Sequence, residues 1–307
     1  MLFDTPAADI HVGDTLIRRF TDPRWGVDSE YGRLLDVAVA APAHLEVVPC
    51  NAVSMESIAN GLFCCTTAAA AQHAVLVRTL ERCGVTCHLV PAMPGMADLC
   101  FTRDSTLMTP WGLVALRAFE EHRRAEPEHV RKSLARIGVP FLGRIEEGCI
   151  EGGDVIVMKP GLLAIGVSGR RTDETGACAL ARMFEARGWR VLTVPFDPHF
   201  LHLDTLFTMV DARRAVACLD ELPAAFLAEV AAQGIAIVQA SPQEVKKLGA
   251  NLVSLGAGRV LSSADNGRIN GELERLGYLV LQVEIDQFTR CGGGVHCLTM
   301  PLARLPG

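Results

Sequence analysis

The chain has no run of about 18 apolar residues, the length a spanning helix needs, so a helical membrane protein is not expected. It has no basic block either. Its 29 Lys and Arg are scattered among 35 Asp and Glu, for a net charge of −6, which argues against a nucleic-acid partner and against a membrane surface. No C-x-x-C pair occurs, and the eleven cysteines are an odd number without framework spacing; Cys64 and Cys65 are adjacent, awkward for mutual bridging. Zinc knuckles and a disulfide scaffold are therefore not expected, and the thiols read as mostly buried ones in a reduced, cytoplasmic protein. Residues Met1 to Asp14 lack the basic start and apolar core of a signal peptide. No Pro-, Gly- or Ser-rich linker divides the chain, so 1–307 reads as a single domain, with 1–29 as an amino-terminal extension. What is present is ample material for a core: 307 residues, 50% of them hydrophobic.

One pattern recurs five times: an amphipathic helix, a glycine, then a β-rich run. The helices are expected at 66–83, 127–137, 173–187, 221–233 and 265–276. The glycines are Gly84, Gly138, Gly188, Gly234 and Gly277, spaced by 54, 50, 46 and 43 residues. Each stands where a left-handed C-cap would end a helix and release the chain into a strand. After each of these strands comes a polar segment that leads into further β-rich sequence, the first being FTRDSTLMTPWGLVAL. EGGDVIVMKPGLLAIG, HLDTLFTMVDARRAVACL and NLVSLGAGRVLSS read as hairpins. The fifth segment, GGGVHCLTMP, ends near the carboxyl terminus, and its expected partner is the early run Leu34 to Pro42. Five similar units with such a closure predict a pseudo-symmetric α/β ring, with an open α/β sheet as the alternative.

The residues that begin the hairpins are Asp104, Glu151 with Asp154, His202 with Asp204, Asn251, and finally Cys297. In a closed ring, equivalent points of five units converge on the axis. Acids, an imidazole and a thiol would then share one pocket. Each is weak evidence alone: a lone Cys is usually a small core residue, and EGGD is compatible with a turn in which Gly152 and Gly153 supply unusual backbone angles. Cys297 stands out because Gly292, Gly293 and Gly294 precede it, and glycines let backbone N–H groups approach a ligand. His296 adjoins it, but neighbours in a strand face opposite ways, so His296 is not read as its base.

FTRDS around Asp104, EGGD, HLDTLF and GGGVHCLTMP together resemble the guanidino-group-modifying enzyme superfamily, which includes arginine deiminase, dimethylarginine dimethylaminohydrolase and the amidinotransferases. EYGRL at Glu30 is similar to that family's first strand. The matches run in family order from Glu30 to Pro301, nearly the whole chain. The resemblance implies a five-bladed α/β propeller (the pentein fold) with its active site on the central axis. It implies Cys297 as nucleophile, His202 as general acid and base, and Glu151 as the group that holds the guanidinium and assists the histidine. Asp104 and Asp204 would bind guanidinium nitrogens, and Asp154 the substrate's amino end. Arg171, in competition with Arg170, would grip a carboxylate. The expected partner is a small guanidino molecule. No metal or organic cofactor is implied, and homo-oligomerisation is left open.

A guanidinium carbon is a poor electrophile, and carboxylates in two-point contact with its N–H fork would orient it toward sulfur. A hydrolase giving a ureido product such as citrulline is the expected activity. If Asp104 and Asp204 both face the guanidinium, a dimethylated nitrogen leaves an acceptor unpaired, which favours less substituted substrates. The alternatives are an amidinotransferase, an arginine dihydrolase giving ornithine, and an inert binding protein of the same fold. Asn51 in the early loop, as a substrate-binding residue, would suit the dihydrolase. The Glu of EGGD suits the hydrolases, and 307 residues leave little room for the extra helical segment common in arginine deiminases.

Overall fold

A computed structural model describes residues 24–307. The reading of Met1 to Asp14, and most of the 1–29 extension, lie outside the described residues. The end of that extension is packed: Trp25 and Val27 are buried, and Gly26 exchanges backbone hydrogen bonds with Leu302 and Arg304, each at 3.0 Å.

Among the described residues, fifteen strands form five three-stranded sheets of one construction. Strand β1 (Leu34–Ala40) is followed by helices α1 (Ala52–Ala59) and α2 (Thr66–Arg82), then by β2 (Thr86–Val90), parallel to β1. The hairpin of β3 (Thr106–Thr109) and β4 (Gly112–Ala115) leads through α3 (Glu126–Ala135) to β5 (Phe141–Arg144). Then β6 (Val155–Lys159) and β7 (Leu162–Val167) lead through α4 (Glu174–Glu185) to β8 (Arg190–Pro195). Next, β9 (Phe207–Asp211) and β10 (Arg214–Ala217) lead through α5 (Ala224–Ala232) to β11 (Ala236–Gln239). A short helix α6 (Pro242–Val245) precedes β12 (Val253–Gly256) and β13 (Arg259–Ser263), which lead through α7 (Gly267–Arg275) to β14 (Leu279–Val283). After α8 (Asp286–Thr289), β15 (Met300–Arg304) returns antiparallel to β1. The first and last strands thus complete one sheet, the pairing expected from the sequence.

The five marker glycines all adopt positive φ, between 72° and 92°. This is the left-handed region that costs other residues roughly 1 kcal/mol or more. The helix expected from Glu221 starts later, at Ala224, because the residue before a proline is driven out of the helical region: Leu222 is extended, at φ −105° and ψ 142°, and Pro223 sits at the cap.

Hairpin strands are buried almost throughout, whereas β2, β5 and β8 alternate with exposed positions. Helices cover the sheets: Leu180 and Phe184 of α4 pack with Val157 and Leu163. Each fully buried side chain of this kind contributes about 1.5–3 kcal/mol. The opening strands of neighbouring sheets touch: β15 with β3, β6 with β9, and β9 with β12, while β12 also meets β1. The residues that lead into those opening strands are therefore gathered in the interior.

Candidate active site

The chain enters β3, β6 and β9 through single 3₁₀ turns at Thr102–Asp104, Gly152–Asp154 and Leu203–Thr205. Asp104 and Asp154 close their turns and Asp204 is the middle residue of its own, while Glu151 and His202 directly precede theirs. The three aspartates are equivalent by repeat but not by contact. Asp104 Oδ1 accepts from the Gly153 N–H at 3.2 Å, and Asp154 Oδ1 from the Leu203 N–H at 2.8 Å. Each thus clasps the next unit's turn. Asp204 instead turns to the last loop: its Oδ2 lies 2.7 Å from His296 Nδ1 and 3.7 Å from Cys297 Sγ, and its Oδ1 has no partner.

A narrow cavity, enclosing about 310 Å³ when the open solvent at its mouth is included, lies beside these turns. Cys297, His202, Asp104, Arg171 and Asn51 line it; Glu151, Asp204 and Asp154 stand behind its wall. The expectation that Asp154 reaches a substrate is corrected. It is fully buried, and its second oxygen accepts from the Thr172 hydroxyl at 2.6 Å. Burial pushes its carboxyl up to about 7, against the pull of His202 and its two donors. We expect Asp154→Ala to leave two buried donors unpaired and to destabilise the fold by about 1–3 kcal/mol for each. A carboxyl held above its unfolded value loses stability between about pH 4 and 7 as it ionises. Thermal melts of Asp154→Asn should accordingly vary less over that range than those of the parent.

Asn51 is likewise engaged by neighbouring groups. It borders the cavity, yet its amide is occupied on both sides. Oδ1 caps α1 by accepting from the Ser54 N–H at 2.8 Å, and Nδ2 donates to the Cys291 carbonyl at 2.9 Å.

His202 Nε2 lies 2.8 Å from Glu151 Oε2, while Nδ1 has no hydrogen-bond partner. Burial disfavours the imidazolium, but Asp104, Asp154 and Glu151 outweigh it and lift the His202 pKa to about 10. Burial would raise the Glu151 carboxyl, but Arg171, His202 and Arg123 hold it well below the usual range. Arg171 reaches Glu151 at 3.3 Å and the Cys50 carbonyl at 3.0 Å. Arg170 is half exposed and lies outside, on an adjoining open hollow that shares Cys50, Asn51, Arg171 and Leu201 with the inner cavity.

Burial pushes the Cys297 thiol well above its ordinary value, aided by Asp204 and Asp104. Two groups pull the other way: the Gly294 backbone and the Asn251 amide, whose Nδ2 is 3.3 Å from Sγ. The same amide accepts from the His296 N–H at 2.9 Å. His296 itself lies between Asp204 and Glu30.

The glycines of EGGD are explained by crowding rather than by backbone angles, since neither has positive φ. A Cβ on Gly153 would lie 2.7 Å from His202 Cγ and Nδ1. Gly153→Ala should displace the imidazole and lower turnover by about 10²-fold, with the fold retained by circular dichroism.

Sequence reasoning missed Arg123, Phe101 and Asp98, all of which line the cavity. Arg123 donates to Asp104 Oδ2 at 2.8 Å and to Glu126 at 2.9 Å. Asp98 pairs with His122 at 2.7 Å. Arg123 sits in the charged run FEEHRR, which resembles a solvated surface and carries no signal of burial. Asp104, Glu151 and His202 bring potential ligand atoms within 4.8 Å of one another, as do Cys50, Asp98 and His122. Guanidinium groups already reach members of both sets: Arg123 pairs with Asp104 and Glu151, and Arg171 with Glu151 and Cys50.

A family model described as N,N dimethylarginine dimethylhydrolase, eukaryotic, matches residues 51–304. An uncharacterized protein of Bacillus subtilis, YkgA, is 27% identical over 90% of this chain and 94% of its own. The N(G),N(G)-dimethylarginine dimethylaminohydrolase of Pseudomonas aeruginosa is 27% identical over 75% of this chain and 86% of its own. A structure of that enzyme complexed with citrulline superposes with a TM-score of 0.74, covering 88% of this chain and 99% of the other at 24% identity, and so shares the fold. An arginine deiminase of Listeria welshimeri is 27% identical over 68% of this chain, but only 62% of that enzyme is covered.

Proposed function

The chain belongs to the N,N dimethylarginine dimethylhydrolase family, among the guanidino-group-modifying enzymes, and from that premise we propose that it hydrolyses a guanidino C–N bond of arginine or a methylarginine-like compound. The observation that carries this reading is one cavity bordered by a thiol, an imidazole and acids drawn from three distant stretches of chain, with Glu151 of a fourth bonded to the imidazole from behind. We read the five sheets as blades around a common axis, supported by the contacts between their opening strands.

In this mechanism the guanidinium enters with its plane near Phe101 and one edge at Asp104, and Glu151 supports it through His202. Asp204 acts from behind Cys297. At rest the buried thiol is neutral. A bound cation beside it favours the thiolate, so the substrate activates its own nucleophile. Sulfur attacks the guanidinium carbon to give a tetrahedral adduct. The His202 imidazolium hands a proton to the leaving nitrogen, which departs as an amine or ammonia. A thiouronium remains on Cys297. Neutral His202 then takes a proton from water as its oxygen attacks the carbon. The C–S bond breaks, releasing a ureido product such as citrulline and restoring the thiolate. Arg171, at the junction of the inner cavity and the outer hollow, would meet a substrate carboxylate.

The sequence-based argument against dimethylated substrates loses its footing. Both Asp104 oxygens already accept protein hydrogen bonds, and Asp204 lies behind the wall. A methyl group therefore leaves no lone carboxylate unpaired. Asn51, the residue that would suit a dihydrolase, holds the Cys291 carbonyl and caps its own helix, which fits the hydrolase reading.

Incubation with arginine, monomethyl- and dimethylarginine and agmatine, followed by a colour test for ureido groups and mass spectrometry, tests the proposal. Citrulline or its decarboxylated analogue is the expected product. Ornithine with ammonia and no citrulline would replace this reading with a dihydrolase. Product formed only when an acceptor amine is added would replace it with a transferase.

A further inference from the structure

Cys64 stands in the loop that joins α1 to α2, and Cys291 follows α8 and adjoins Gly292. They are 227 residues apart in sequence, yet their sulfurs are 3.3 Å apart. Both also approach the Gln287 carbonyl, at 3.1 Å and 4.0 Å. A disulfide needs a sulfur separation of about 2.05 Å, so closure asks for little more than ~1 Å of movement. Cys291 borders the active-site cavity, and Cys64 does not. Cys64 is partly exposed and its neighbour Cys65 is exposed, so a small reagent can reach this corner from solvent.

We propose that Cys64 and Cys291 form a thiol-modification site, which a low-molecular-weight disulfide such as glutathione disulfide converts to an intramolecular disulfide. The Cys64 thiolate attacks one sulfur of glutathione disulfide. The S–S bond of the reagent breaks, one glutathione leaves as thiolate, and a mixed disulfide forms on Cys64. Cys291 then loses its proton and attacks the Cys64 sulfur, expelling the second glutathione. The protein loses two protons and two electrons, and the reagent, reduced to two glutathione thiols, gains both. The roles follow from the surroundings. The hydrogen bond with Cys291 and the nearby Arg290 lower the Cys64 pKa despite burial, whereas Cys291 is pushed up by the same contact and by burial.

The bridge would tie the loop before α2 to the cavity wall. The Cys291 carbonyl holds the Asn51 amide, and Gly292, at φ 94°, packs against the same side chain. Movement of this wall should lower kcat/KM by about tenfold, since a shift near 1 Å in a site is enough for such losses. This part rests on the hydrolase reading; the covalent chemistry does not.

The test is treatment of the full chain with glutathione disulfide at pH 8, alkylation of remaining thiols, and peptide mass spectrometry. We expect a cross-linked peptide pair containing Cys64 and Cys291, a fall from eleven to nine free thiols in molecules carrying only this bridge, and reversal by dithiothreitol. The same bridge should form in Cys297→Ser, so failure of the nucleophile assignment would leave it intact. Cys64→Ser should keep basal turnover, form no bridge and resist the oxidant. Glutathione retained on Cys64, Cys65 or Cys178 with no Cys64–Cys291 peptide would overturn the proposal. Equal loss of activity in Cys64→Ser would overturn the link to catalysis and point to direct oxidation of Cys297.

Discussion

Cys297→Ser should abolish turnover, lowering kcat by at least about 10⁴-fold while substrate still binds. Removal of a nucleophile that acts with a partner acid costs about as much as removal of the whole set, because the later steps depend on the first. A hydroxyl is far less acidic than a thiol, and a bound cation cannot ionise it at neutral pH. The surroundings of the position need little adjustment, since the Asn251 amide and Asp204 can both meet an oxygen. Calorimetric binding of the preferred guanidino compound should therefore survive, and a covalent adduct on residue 297 should vanish from intact-mass spectra. Activity within about tenfold of the parent would place the nucleophile elsewhere.

His202→Gln should lower kcat by about 10²–10⁴-fold, the range for a lost general acid and base. Two steps depend on this ring, protonation of the leaving nitrogen and deprotonation of water, so neither half of the reaction should be spared. Glu151→Gln separates positioning from chemistry. It removes one of the carboxylates that lift His202 to about 10, so the alkaline fall in kcat should move to lower pH. Stability carries the matching sign. The folded His202 pKa lies above the unfolded 6.5, so its contribution is complete below about pH 6.5 and lost as pH rises through about 10. Glu151 is held below its ordinary 4.5, so its contribution is complete above that value and lost in acid. Melting temperatures of the parent against each variant across pH 4–11 check both limbs. An unchanged pH profile in Glu151→Gln would mean that the carboxylate does not govern the imidazole.

Much of the architecture was legible in the sequence because it rests on local rules. Gly84, Gly138, Gly188, Gly234 and Gly277 mark helix ends through a backbone conformation that other side chains resist. The pairing of β15 with β1 follows once five units are counted and one strand lacks a partner. The convergence of Cys297, His202 and Asp104 on one cavity follows from the same count, since each leads into an opening strand.

Equivalence by repeat, however, did not carry function. Asp104, Asp154 and Asp204 look alike in sequence, yet one borders the cavity, one is locked by Thr172 and Leu203, and one faces His296 and Cys297. Arg123 lies in a run that reads as surface but is 3% exposed in the fold.

The amino-acid sequence by itself determined the five α/β units, their order and the residues that could take part in guanidino chemistry, because propensity, glycine caps and spacing act over a few neighbours. Only the tertiary structure decided which acids border the cavity, which arginines balance them, how high the imidazole pKa is raised and which two thiols meet. Those outcomes depend on distances between stretches up to 266 residues apart, such as Glu30 and His296, and electrostatic and hydrogen-bond energies change steeply over the last few ångströms.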